Sequence, residues 1–201
     1  MEAAGPPLAG TAATYCGAVT QVAPGGQEAP AGTGTGTPTG IEVGGTRWYW
    51  RAGEVQGAAV VFDLDGVLSD AAGRQHFIRG PKPDWEAFFG ASGDDPLVAE
   101  VAALLSLLGP DLYVVLLTAR PARISTTTIG WLARHHLRWD LLVMRRNGDY
   151  RPARLFKQEA ARQITSKGLD LKLCFEDDRR NVDMFRAEGV PALYVHSGYY
   201  D

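Results

Sequence analysis

Cysteine is nearly absent from this 201-residue chain, which has only Cys16 and Cys174. One lies in a Gly/Ala/Thr-rich stretch and the other in an apolar run, so a disulfide framework is excluded and a zinc site lacks ligands. Cys174 reads as a small core residue. The four histidines, His76, His135, His136 and His196, show no ligand spacing. An excess of charge is also missing: the formal net charge is −3, so no strong field draws the chain to nucleic acid or anionic lipid. No apolar run reaches the roughly 18 residues of a spanning helix, and the N-terminus lacks the basic start and apolar centre of a secretory signal. The expectation is a protein of a reducing, cytoplasmic compartment with no membrane partner.

What is present divides unevenly. Residues 1–40 are rich in Gly, Pro, Ala and Thr, a composition that buries too little apolar surface to offset chain entropy, and read as a disordered tail. Residues 41–57 form a short strand-like extension. Within it Gly44-Gly45 suits a turn, and Trp48-Tyr49-Trp50 suits either packing on the domain or stacking on bases. From 58 to 201 short apolar runs alternate with helical patterns. Strands are predicted over 58–64, 112–117, 140–144, 171–175 and 191–195, and helices over 97–108, 125–136, 153–166 and 179–188. Wholly apolar strands separated by helices predict an α/β fold with a central parallel sheet covered on both faces, which binds ligands at the carboxyl ends of its strands.

Polar residues fall at those ends. The first strand leads into Asp63-Leu64-Asp65-Gly66, the second into Thr118-Ala119-Arg120, and the fourth into Glu176-Asp177-Asp178-Arg179. Lys157 lies near the start of the helix before the fourth strand. Several carboxylates at one point repel each other, and a divalent cation and a lysine relieve that. An oxygen-only donor set favours magnesium over zinc. A carboxylate beside such a cation can attack phosphorus, and a second carboxyl two residues later can exchange a proton with the leaving oxygen.

Asp63-Leu64-Asp65-Gly66-Val67-Leu68 resembles the first motif of the haloacid dehalogenase (HAD) superfamily, whose core is a Rossmannoid sheet. Thr118 resembles the second motif, Lys157 the third, and Asp177-Asp178 the fourth. The resemblance implies Asp63 as nucleophile and Asp65 as general acid and base. It implies Mg²⁺ held by Asp63, the Asp65 backbone carbonyl and Asp177 or Asp178. Thr118 would bind the phosphoryl group and Lys157 would neutralise charge. An acidic residue at position 65 favours phosphoester hydrolysis or phosphoryl transfer over dehalogenation. Glu176 is expected as a neighbour of the metal site, and Asp183 as a solvated residue or an outer ligand.

The run 144–152, followed by Lys157, is similar to the segment before the third motif in the phosphatase domain of phage-type polynucleotide kinase/phosphatase. By that resemblance Arg74, Arg120 and Arg146 or Arg151 bind phosphate; Asp149 reads rather as a turn residue with Gly148. The sequence departs from that subgroup at Ala153, where an acidic residue is usual. No Gly-x-x-x-x-Gly-Lys-[Ser/Thr] loop is present, so a kinase half is not expected. The gaps between motifs leave no room for a large lid, so the cap is minimal or absent and the site open. A nucleotide would be held with partial closure by the loop 76–93, whose Trp85, Phe88 and Phe89 read as core packing ahead of base stacking. Two substrates fit: a 3′-phosphate end of nucleic acid, or a nucleotide or small phosphometabolite. The rival outside catalysis is a scaffold whose tail and Trp48-Tyr49-Trp50 cluster hold a protein partner.

Overall fold

The computed structural model describes Pro38 and residues 40–200. The expected tail over 1–40, apart from Pro38 and Gly40, and with it Cys16, lies outside the described residues. One seven-stranded sheet organises the rest. Its strands are β1 (Gly40–Val43), β2 (Thr46–Trp50), β3 (Gly57–Phe62), β4 (Tyr113–Pro121), β5 (Leu141–Arg145), β6 (Leu169–Glu176) and β7 (Ala192–Tyr194). Their spatial order is β1-β2-β5-β4-β3-β6-β7.

From β5 to β7 all neighbours are parallel, as the apolar runs predict. The remaining two strands make the sheet mixed. β1 and β2 form an antiparallel hairpin turned at Gly44 and Gly45, both at positive φ, and β2 pairs antiparallel with β5. The tight turn makes β1 and β2 antiparallel to each other, because a parallel pair would need a long crossover.

Helices α1 (Trp85–Gly90) and α2 (Ala99–Ser106) lie between β3 and β4, and α3 (Ser125–Arg134) follows β4. Helices α4 (Ala153–Ser166) and α5 (Arg179–Ala187) flank β6. Side-chain alternation along the strands builds two cores. Ala59 and Val61 of β3 pack with Phe156, Ala160 and Ile164 of α4 and Phe185 of α5. Val60 and Phe62 face the other way, toward Leu105 of α2 and Trp131 and Leu132 of α3. Cys174 lies in the first core, and burial pushes its thiol well up.

The aromatic cluster of β2 divides by the same alternation: Trp48 enters the first core and Tyr49 the second. The Trp48 indole donates to Thr46 Oγ1 at 2.6 Å, which satisfies its one polar atom. Packing is therefore the role of these two rings, and they offer no face to a base. The segment between β3 and β4 holds only α1, α2 and two short 3₁₀ turns, Ala71–Phe77 and Ala91–Asp94. No helix among the described residues is long and apolar enough to cross a membrane.

Candidate active site

The chain reverses direction in the sheet between β3 and β6: it builds outward to β4 and β5, then returns to the other side of β3. Crevices form at the carboxyl ends of strands where the order switches in this way. Asp63 follows β3, and its N–H still pairs with Phe175 O of β6 at 3.1 Å. The chain then folds back on itself, because Leu64 O accepts from the N–H groups of Val67, Leu68 and Ser69 at 3.1, 2.9 and 2.8 Å. Gly66 takes φ +83 in this turn, a conformation that suits glycine.

Asp63, Glu176 and Asp177 converge, with one carboxylate oxygen from each lying within 4.8 Å of the others. Lys157, buried on α4, reaches Asp63 Oδ2 at 2.6 Å and also contacts Glu176 Oε1. The second Glu176 oxygen accepts from Asn181 Nδ2 at 3.2 Å, so both of its oxygens are engaged. Asp177 differs: its Oδ2 is buried without a hydrogen-bond partner among the described residues.

Burial pushes Glu176 up to about 7 and Asp177 up to about 8. Burial also pushes Asp63 up, against the pull of Lys157. Lys157 is itself held above its ordinary value: burial lowers it, but Asp63 and Glu176 outweigh that. With all groups ionised, three carboxylates and one ammonium leave a charge of −2. A divalent cation cancels it, and the orphaned Asp177 oxygen is a hard donor suited to magnesium. The residues present therefore fit a magnesium ion.

Asp178 is not part of this trio. It caps α5, its carboxylate accepting from Arg180 N at 2.9 Å and pairing with the Arg180 side chain at 2.8 Å. Where the two consecutive aspartates left the metal ligand open, the structure places Asp177 in the acidic trio and Asp178 at the α5 cap. Asp183 is exposed.

The Asp65 side chain belongs to a second cluster. Its Oδ1 accepts from Arg120 Nε at 2.9 Å and from Arg74 Nη2 at 2.5 Å. Burial raises the Asp65 carboxyl, yet Arg120 and then Arg74 overcome this and hold it below the usual carboxylate range. Arg120 is fully buried, and its Nη1 has no hydrogen-bond partner among the described residues. It stands where β4 slips register against β5, between Thr118 and Pro121, and such an irregularity re-aims side chains. Thr118 is buried beside it and accepts from Arg120 N at 3.2 Å.

Sequence reasoning missed Asp95, which anchors this cluster. Its carboxylate takes Arg74 Nε at 2.8 Å and Nη2 at 2.7 Å, Arg120 Nη2 at 3.2 Å, and the Ser69 hydroxyl. Pairing of residues 68–70 with 96–98 brings it there: Asp70 N donates to Pro96 O at 2.9 Å and Val98 N to Leu68 O at 2.9 Å. Two guanidiniums and two carboxylates balance.

The structure does not bring Arg146 and Arg151 to either cluster through their ion pairs. Arg146 pairs with Glu42 of β1 at 3.3 Å and Arg151 with Asp149 at 2.8 Å, and both side chains are largely exposed. With Tyr150 they line an open cleft of about 540 Å³ at the loop before α4.

Residues 57–200 match the family described as the polynucleotide kinase PNKP phosphatase domain. The chain belongs to this family. It is thus a HAD-type phosphatase, and both the α/β fold and the superfamily expected from the sequence hold. Two chains of the Pnkp1/Rnl/Hen1 complex are similar to it. One, from a structure described as an RNA repair complex, is 28% identical with a TM-score of 0.58 over 69% of this chain and 42% of that one. The other is 31% identical with a TM-score of 0.58 over 72% of this chain and 47% of that one. The PNKP-type domain thus spans less than half the length of these two matched chains. A class C acid phosphatase from Bacillus anthracis, with tungstate bound, shares the fold at 16% identity, with a TM-score of 0.50 over 74% of this chain and 70% of that one.

Proposed function

We propose that the chain is a magnesium-dependent phosphomonoesterase that works through an aspartyl-phosphate on Asp63 and acts on 3′-phosphate ends of nucleic acid. The observation that carries the reading is the buried Asp177 Oδ2, unpartnered among the described residues, within an acidic trio that Lys157 contacts. Asp63, Asp177 and the Asp65 carbonyl would hold Mg²⁺, which supplies charge neutralisation at the phosphoryl oxygens. Glu176, already engaged twice, holds Lys157 against Asp63.

In the first step a carboxylate oxygen of Asp63 bonds to phosphorus and the ester P–O bond breaks. Asp65 gives a proton to the departing alkoxide. In the second step Asp65 takes a proton from water, the water oxygen bonds to phosphorus, and the Asp63–phosphorus bond breaks to release inorganic phosphate. Without substrate, Arg120 and Arg74 hold Asp65 as a carboxylate. An incoming phosphate competes for both guanidiniums through their bidentate geometry, and this frees Asp65 to take up the proton it later donates. Thr118 adds a hydroxyl to the phosphoryl group.

The nucleic-acid end is favoured because no large lid covers the site among the described residues and because the Pnkp1 chains it resembles belong to an assembly described as an RNA repair complex. The net charge of −3 favours a nucleotide or small phosphometabolite instead. Phosphate release from 3′- and 5′-phosphorylated oligonucleotides, mononucleotides and an aryl phosphate, with and without Mg²⁺, tests both readings. Magnesium-dependent release that falls more than about 10³-fold in Asp63→Asn is the expected result. Undiminished release in that variant would refute the mechanism.

A further inference from the structure

The segment 197–200 crosses from the end of β6 to the turn after β3. Ser197 and Asp177 meet at Gly66, the Ser197 Cβ lying 3.0 Å from where a Cβ on that glycine would stand. The Tyr199 phenol donates to Asp70 Oδ1 at 2.6 Å, and its N–H donates to Ser197 Oγ at 3.3 Å. Held at these points, the segment carries the next residue, Tyr200, to the rim of the acidic site with 53% of its surface exposed.

Tyr200 lines a cleft of about 430 Å³ together with Asp178, Arg179 and Arg180. The Arg180 guanidinium sits 5.7 Å from the Tyr200 ring centroid, and Asp178 steadies it through Nε at 3.0 Å and Nη2 at 2.8 Å. The Arg179 guanidinium lies over Tyr194 at 4.3 Å. Asp178 directly follows Asp177, so the cleft opens beside the trio. The Tyr200 phenol is raised by its partial burial and then by the negative charge of Asp177 and Asp63, which places the ring in the field of the same site.

An exposed ring with guanidiniums beside it is the chemistry of a single-strand subsite: stacking serves any base and the cations serve the backbone. A small phosphometabolite fills the acidic site and has nothing for a second cationic, aromatic patch to hold. In a chain of net charge −3 this patch supplies local attraction that the whole molecule does not.

We propose that the Tyr200–Arg179–Arg180 cleft binds the nucleotide adjoining the scissile phosphate. Tyr200 stacks on its base, and the two guanidiniums receive the next phosphodiester. The assignment rests on the reading of the substrate as a 3′-phosphorylated nucleic-acid end.

The test compares the full chain with Tyr200→Ala and Tyr200→Phe. One measurement is kcat/KM on a 3′-phosphorylated oligonucleotide and on glycerol 2-phosphate. The other is the fluorescence anisotropy of a 5′-labelled, 3′-phosphorylated oligonucleotide with each chain in an Asp63→Asn background. The Ala variant is expected to lower the oligonucleotide-to-glycerol-phosphate ratio about tenfold, mainly through KM, and to weaken binding by a similar factor. The Phe variant, which keeps the ring, is expected to stay within about twofold of the parent. An unchanged ratio and unchanged binding in the Ala variant would overturn the subsite, as would a Phe variant as weak as Ala. Hydrolysis of both substrates with no effect of Tyr200→Ala removes the subsite and leaves the phosphatase. Absence of hydrolysis with oligonucleotide binding lost in Tyr200→Ala removes the phosphatase reading and leaves the subsite.

Discussion

Gly66 lies so close to Asp177 that a Cβ built on it would stand 1.8 Å from Asp177 Oδ2. The glycine is therefore required on two counts: the space belongs to a carboxylate, and φ is +83. Gly66→Ala is expected to displace the buried, unpartnered Asp177 Oδ2. Magnesium-dependent activity should fall at least about tenfold, with the left-handed backbone adding about 1–2 kcal/mol of destabilisation. Activity assays over a Mg²⁺ titration check this, and a parental Mg²⁺ response would contradict it.

The consecutive aspartates 177 and 178 are expected to separate under mutation. Asp177→Ala should abolish the dependence on Mg²⁺ because it removes the orphaned oxygen. Asp178→Ala should keep that dependence and cost about 1 kcal/mol of stability through loss of the α5 cap. Mg²⁺ titration calorimetry and urea unfolding of the two variants would show it. Equal loss of Mg²⁺ binding in both would restore Asp178 as a ligand.

Burial holds Glu176 at about 7 and Asp177 at about 8, whereas both titrate near about 4 in an unfolded chain. The folded state therefore binds more protons across this interval. The contribution of these groups is fully present below the unfolded values and is lost as pH rises through the folded ones. The thermal midpoint of the metal-free protein is expected to fall between about pH 5 and pH 8, by several degrees on the order set by domain size. Magnesium should raise the midpoint more at the alkaline end, where the carboxylates are ionised. Differential scanning fluorimetry with and without chelator decides the matter; a Mg²⁺ effect that shrinks with rising pH would run against it.

Asp95→Asn removes one of the two carboxylate charges that balance Arg74 and Arg120. The expected loss is about 3 kcal/mol of stability, typical of breaking a buried ionic cluster at one member. A fall in kcat/KM should accompany it as the guanidiniums lose their anchor. Ser69→Ala, which deletes the hydroxyl's bond to the same carboxylate and the one it accepts from Arg120 Nη2 at 2.9 Å but removes no charge, should cost less, about 1.5 kcal/mol. Urea unfolding followed by fluorescence compares the two; similar costs would deny Asp95 its anchoring role.

The sheet was legible because strands buried on both faces must be apolar throughout, as in the run 112–117 that overlaps the first half of β4. Asp63, Thr118, Lys157 and Asp177 were legible because a polar residue directly after such a run, or at the start of the following helix, has few structural reasons to be there. Asp95 gave no such signal: it lies in Gly93-Asp94-Asp95-Pro96, a composition that ordinarily marks a solvated turn. Only the pairing of 68–70 with 96–98, a tertiary event, buries it. Helix α1 is six residues long, too short for a periodic pattern to show. Arg146 and Arg151 stood out by charge alone, and charge does not reveal that Glu42 and Asp149 would be their partners.

The sheet order carries a consequence for how the chain is made. Lys157 meets Asp63 across a sequence separation of 94 residues, and Glu176 joins them only when β6 docks beside β3. The hairpin at the other edge likewise waits for β5. During synthesis both sides of β3 stand open until their distant partners emerge, so closure of long loops sets the pace of folding. The mutually repelling carboxylates are thus kept apart until the last parallel strands arrive. A chain halted before residue 169 would present strand edges to its neighbours and hold no acidic centre at all.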